Sequence, residues 1–393
     1  MTFTRHWKKV ALTLAAALLV AVVVVAVAGW YLSNLLRDGG LVPEHDGPEY
    51  DLVVAAVSEG TVTLRTTSDS DEDGDWWRTG LWGLEWDSDY VQVGTVLERT
   101  DDQVVREFFV PTRPPDSRPP PEITPPVGEK VRLDSFAYSG DPRVDLGLVF
   151  EEVFYSSPLG EFPAWLARGT SDTWAIFVHG KGSDQREALR MLPTVAAVGL
   201  PALVITYRND EDLPEDPDGY YAYGLTEWED LEAAAEYAIE NGAERLVLVG
   251  YSMGGGIVTN FLYQSPLADR VVGTILDAPM LDFSRTVDLG AREDGYPQIF
   301  ASLAKTFAGF RFDVDWDKLD YLARVEELDT PILLFHGDED DVVPVETSDA
   351  LAEARPDIVT YVRVVGARHV RAWNTEGDAY EAAVAEFLQG LTR

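Results

Sequence analysis

Leu246-Val247-Leu248-Val249-Gly250-Tyr251-Ser252-Met253-Gly254-Gly255-Gly256 is a short apolar run followed by a serine set among glycines. Four apolar residues bounded by turn residues read as a strand buried on both faces. From Met253 to Gln264 the pattern is helical. A serine between the two, in the order G-x-S-x-G, stands on a strained strand-to-helix turn, where flanking glycines remove the Cβ atoms that would clash. The alternative reading is a Gly-rich turn without chemistry, and the strand before and helix after weigh against it.

The same rhythm extends outward in both directions. Trp174–Val178, Ala202–Tyr207, Val271–Leu276, Ile332–Phe335 and Tyr361–Val365 are short apolar runs. Between and after them lie the helix-like Arg186–Val198, Thr226–Asn241, Val345–Ala354 and Tyr380–Leu391. Such alternation predicts an α/β domain with a doubly wound, mostly parallel sheet over residues 131–393. In that architecture a site lies beyond the carboxyl ends of the strands.

A serine nucleophile needs a base, usually histidine. There are five histidines and no cysteine, so disulfides, thiolate metal sites and a cysteine nucleophile are excluded. His6 and His45 lie far from the strand ends; His179 and His336 each close a strand before a glycine. Only His369, in Gly366-Ala367-Arg368-His369, stands last in the order Ser, acid, His. Asp338, Asp340 and Asp341, after the Ile332–Phe335 strand, are the acids available to orient it. An oxyanion needs two donors: the amide of Met253, following the serine, and one from the loop after an earlier strand, His179-Gly180-Lys181-Gly182, where the Lys181 backbone is the candidate. His179 reads as a loop-fixing residue rather than a chemical one.

With these motifs in place, the chain resembles an α/β-hydrolase fold serine hydrolase, nearest the dienelactone-hydrolase and prolyl-oligopeptidase-like branch and small membrane-associated esterases or thioesterases. The resemblance covers roughly residues 131–393. It rests on Gly250 to Gly255, His179-Gly180, the string H-G-x-x-D-x-x-V-P from His336 to Pro344, and Gly366 to His369. It implies Asp340 as the acid, with Asp277 second, since some relatives place the acid there. It implies an ester or thioester substrate cleaved through an acyl-enzyme, without a cofactor. A serine peptidase and a non-catalytic tethered binding protein on the same scaffold are the rival readings.

The N-terminal third carries different information. Arg5, Lys8 and Lys9, within an n-region of residues 1–9, precede an uncharged run at 10–32, about 35 Å as a helix and enough to cross a hydrocarbon core. Trp30 and Tyr31 mark its far end, and the basic residues predict a cytoplasmic N-terminus with the remainder outside. Cleavage at Ala26-Val27-Ala28 is the alternative, giving a secreted protein. Residues 33–49 read as a polar tether, 50–110 as a β-rich module and 111–130 as a Pro-rich linker. The net charge of −37 argues against nucleic acid and against electrostatic adhesion to anionic lipid. Asp69 to Asp75 begins like a calcium loop, but position twelve is Gly80, so it reads as an acidic surface loop. Residues 278–330, with Phe283, Phe300, Phe307, Phe310, Phe312 and Trp316, read as a lid whose aromatics either pack or line an apolar acyl site.

Overall fold

The computed structural model describes residues 2–43, 47, 49–67, 74–87, 89–109 and 123–391. Helix α1 spans Thr2–Leu36 and passes into a π-turn, Arg37–Leu41. The segment Val10–Leu41 is long and apolar enough to cross a membrane. Its side chains from Val10 to Val27 are exposed, whereas Gly29 and Ser33 are buried against the rest of the chain. The helix thus runs beyond the expected 10–32. Residues 33–41 are not a free tether, because Leu41 buries in the core of the α/β domain at 2% exposure. His45 and residues 69–73 lie outside the described residues.

Six antiparallel strands then close a small barrel in the order β1-β2-β5-β4-β3-β6: β1 (Leu52–Ser58), β2 (Thr61–Thr66), β3 (Trp82–Trp86), β4 (Asp89–Arg99), β5 (Gln103–Phe109) and β6 (Lys130–Asp134). Alternate residues such as Val62, Leu64, Leu84, Val91 and Val93 fill the interior, as the period of a strand requires. Arg106 is buried there too. Its guanidinium donates to the carbonyls of Trp76 (2.9 Å), Gly94 and Gly80, and burial brings its pKa down to about 10. The barrel takes its last strand from 130–134, so the β-rich module ends past 110 and the α/β domain begins later than 131. Closure explains the choice: without β6, β1 and β3 would each present an unpaired edge. The expected linker is largely outside the described residues.

After α2 (Pro142–Leu146), an eight-stranded sheet runs β14-β13-β12-β11-β9-β10-β8-β7. Strands β7 (Phe150–Ser157) and β8 (Gly160–Ala167) form an antiparallel hairpin at its edge. Strand β10 (Ala202–Ile205) pairs antiparallel with β8 and parallel with β9 (Thr173–Val178). Parallel pairing continues through β11 (Arg245–Tyr251), β12 (Val271–Asp277), β13 (Ile332–Gly337) and β14 (Val359–Val364). Helices α3 (Leu192–Val198) and α9 (Ala372–Leu391) cover one face; α4 (Trp228–Glu240), α5 (Met253–Gln264) and α8 (Val345–Ala354) cover the other. Both faces being covered accounts for the unbroken burial of β9, β10 and β13. Chain direction across the sheet reverses at β9, with β10 on one side and β11 on the other, so a crevice opens above their carboxyl ends. Residues 278–330 contribute α6 (Phe283–Glu293) and α7 (Gln298–Phe312).

Candidate active site

Ser252 sits between β11 and α5 with φ +50° and ψ −116°, a conformation side chains rarely adopt. The turn is held on both sides. The Ser252 amide donates to the Asp277 carbonyl (3.0 Å), and the Ser252 carbonyl accepts from the amides of Gly255 and Met280 (both 2.9 Å). The glycines are required by space. A Cβ on Gly250 would lie 2.6 Å from the Gly254 carbonyl oxygen, and one on Gly254 would overlap the backbone ending β9.

The three sequence-predicted residues meet at hydrogen-bond distance. The Ser252 hydroxyl donates to His369 Nε2 (2.8 Å), and His369 Nδ1–H donates to Asp340 Oδ2 (2.8 Å). Asp340 is fully buried, and every lone-pair direction is used. Its Oδ1 accepts from the amides of Val342 (2.9 Å) and Val343 (2.8 Å), and its Oδ2 also accepts from His336 Nε2 (3.0 Å). Burial alone would raise its pKa; the His369 charge and the His336 hydrogen bond outweigh that and hold the carboxylate well below its usual range. His336 is in turn fixed by the Ser348 hydroxyl, which donates to Nδ1 (2.7 Å).

The neighbouring aspartates do other work. Asp338 accepts from the Gly366 amide (2.7 Å), and Asp341 pairs with Arg368. Asp277 is buried below the serine turn, accepts from the Tyr380 hydroxyl (3.1 Å), and is pushed up to about 6 by burial. Its carboxylate makes no hydrogen bond to His369, which Asp340 already holds.

The loop after β9 abuts the nucleophile: a Cβ on Gly180 would stand 3.2 Å from that of Ser252. His179 is buried and stacked on Tyr207, with ring centroids 4.4 Å apart. Its Nδ1 donates to the Gly180 carbonyl (2.9 Å) and its Nε2 to Asp210 (3.0 Å). Burial opposes its charge, but Asp210, the carbonyl and Glu187 prevail and raise the pKa to about 9. Two residues that sequence reasoning missed complete the support. Glu187 accepts from the Gly180 amide (2.8 Å), and Arg190 donates to the Val370 carbonyl (3.1 Å) beside His369.

An aromatic stack packs into the core of the α/β domain. Tyr223 stacks on Phe283 (3.8 Å between centroids), and Phe283 on Trp316 (5.6 Å). The π-turn is bonded to the same region. Lys181 Nζ donates to the Gly39 carbonyl (2.7 Å), the Tyr223 hydroxyl to Gly40 (2.6 Å), and the Tyr221 amide to Leu41 (2.8 Å). Among the described residues no cluster of His, Asp and Glu could hold a metal ion.

Comparison with known proteins agrees with this architecture. Residues 216–392 match the prolyl oligopeptidase family model, and residues 53–119 match a domain of unknown function, DUF8805. An uncharacterized Bacillus subtilis protein, YqkD, is 21% identical over 222 residues, covering 55% of this chain and 71% of that one. The structure of a Pyrococcus furiosus esterase superposes with a TM-score of 0.53 at 20% identity, covering 65% of this chain and 95% of the other. The chain has the α/β-hydrolase fold, and the matches support a serine hydrolase of that fold.

Proposed function

We propose that the chain is a membrane-anchored serine hydrolase that cleaves a carboxylic ester or thioester. The observation that carries the reading is the unbroken hydrogen-bonded series Ser252, His369, Asp340, with the acid buried and saturated. His369 takes the Ser252 proton as the oxygen attacks the carbonyl carbon, and Asp340 holds the imidazole in the tautomer that can accept it. The Lys181 and Met253 amides receive the negative charge on the carbonyl oxygen. The leaving group departs with the proton from His369. A water molecule, deprotonated by the same histidine, then releases the acid and restores Ser252. No step requires a cofactor. Helix α1 supplies the anchor, with the catalytic domain outside the cytoplasm.

A fluorophosphonate probe tests the nucleophile. Labelling of intact protein that is abolished in Ser252→Ala supports the reading; labelling that persists in the variant, or fails in intact protein, overturns it and favours a non-catalytic scaffold. The match to the prolyl oligopeptidase family favours a second reading, a peptidase, which uses the same groups if the leaving nitrogen is protonated and seated. A panel of ester, thioester and peptide substrates separates the two.

A further inference from the structure

The closest helix pairing among the described residues joins α1 to α7, that is, the apolar N-terminal helix to the lid. The two run in the same direction. A Cβ on Gly29 would overlap the Phe307 ring; Arg311 donates to the Trp30 carbonyl (2.9 Å) and Ser33 hydroxyl (2.6 Å) and covers the Trp30 ring; Arg37 stands over Phe312. Helix α7 therefore lies beside the outer end of the proposed span.

The exposed side of α7 and the turn before it carry large apolar side chains among Gln298, Ser302 and Thr306. Phe310 is 86% exposed and Ile299 72%, with Phe300 and Tyr296 also exposed. They continue a surface begun by Trp30, Tyr31 and Leu35. The polar side chains on this helix are bonded within the protein. Lys305 pairs with Asp288 (2.5 Å) and donates to Ser284 of α6 (2.9 Å). The Ser302 and Thr306 hydroxyls donate to carbonyls four residues back in their own helix (3.1 and 2.8 Å). A helix facing water gains nothing from this arrangement, whereas one facing lipid must satisfy its polar groups internally.

We propose that α7 and the end of α1 form one bilayer-seating surface, and that the active-site rim opens at the headgroup layer to take an acylated amphiphile from the membrane. This rests on the serine-hydrolase reading and on α1 as a span. The loop beside Ser252 is close to the span: Gly39, seven positions and about 10 Å of helix beyond Leu32, is bonded to Lys181. The occupant is lipid. The net charge of −37 offers no attraction to an anionic leaflet, so contact depends on apolar side chains.

The absence of cysteine makes single-cysteine nitroxide labelling direct. Full-length protein in phosphatidylcholine proteoliposomes is labelled at Ile299→Cys, Phe310→Cys and, as an exposed reference, Val149→Cys. Seating predicts that positions 299 and 310 are more accessible to oxygen than to a water-soluble nickel chelate, with the reverse at 149. Accessibility at 299 and 310 matching that at 149 overturns the proposal, as does shielding from both reagents with spin–spin broadening, which means that a second copy covers the helix. The kinetic arm uses Ile299→Ser/Phe300→Ser/Phe310→Ser. It should lose about tenfold or more in kcat/KM on a vesicle-borne long-chain ester, while a soluble short-chain ester changes less than about twofold. Equal effects on both esters overturn the proposal yet leave the hydrolase standing. Absence of all turnover and probe labelling sinks the hydrolase instead, and the nitroxide result still decides the seating.

Discussion

Glu187 and Arg190 form a buried ion pair one turn apart (3.0 Å) that reaches both catalytic loops at once. The second Glu187 oxygen accepts from the Gly180 amide and the Ser183 hydroxyl, fixing the loop that carries Lys181. Arg190 fixes Val370, next to His369. The loop after β9 and the His369 loop are thereby held in one frame. Breaking such a pair on one side costs about 3–5 kcal/mol. Glu187→Gln should therefore lower Tm and reduce kcat about 10- to 100-fold, with a smaller change in KM. Loss of Tm with kcat preserved would make the pair purely structural.

The aspartates rank by what they touch. Asp340→Asn removes the acceptor that sets the His369 tautomer and should cost about 10³–10⁴ in kcat. Asp338→Asn and Asp341→Asn disturb only loop contacts and should each cost less than about tenfold. Parallel kcat measurements decide, and equal losses would contradict the assignment.

The raised pKa of His179 makes stability depend on alkaline pH. Its folded value of about 9 exceeds the ordinary value of about 6.5. The stability it contributes is complete below the lower value and is lost as pH rises through the upper one. Wild-type Tm should fall between pH 7 and 10 more steeply than that of His179→Gln. Parallel curves would place the imidazolium elsewhere.

The barrel reaches the histidine loop through Asp75, which pairs with Arg371 (3.2 Å) and lies 3.7 Å from Arg368, on either side of His369. Arg78 adds a bond to the Gly366 carbonyl (2.9 Å). Asp75→Ala should lower kcat about three- to tenfold at unchanged probe specificity for Ser252. An unchanged kcat would leave the barrel without influence on the site.

How much of this was legible depended on range. Ser252 and His369 were readable because a local motif and an ordering rule single them out. Asp340 needed the family resemblance, since three aspartates share its loop and only burial tells them apart. Strand β3 escaped because Gly83 and Glu85 interrupt its pattern, and the β7–β8 hairpin because an exposed edge carrying Glu151 and Glu152 does not look apolar. Helix α9 starts at Ala372 rather than Tyr380; a kink at Glu376 separates its first turn from the periodic stretch. Glu187 and Arg190 fall inside the helix-like run Arg186–Val198 with no local mark of a role, because the groups they serve include Val370, 180 residues from Arg190. The docked π-turn was hidden by its glycines, which suggest a loose tether until Leu41 is seen in the core.

The seat of Phe307 over Gly29 also orders events in time. A signal peptidase acting at Ala26-Val27-Ala28 must hold that segment extended, yet in the folded chain it is helical and ends under α7. A cut after Ala28 would keep Gly29, Trp30 and Ser33, the residues that Phe307 and Arg311 touch, but would strip away the helical turns that precede them, leaving α7 packed against a new chain end.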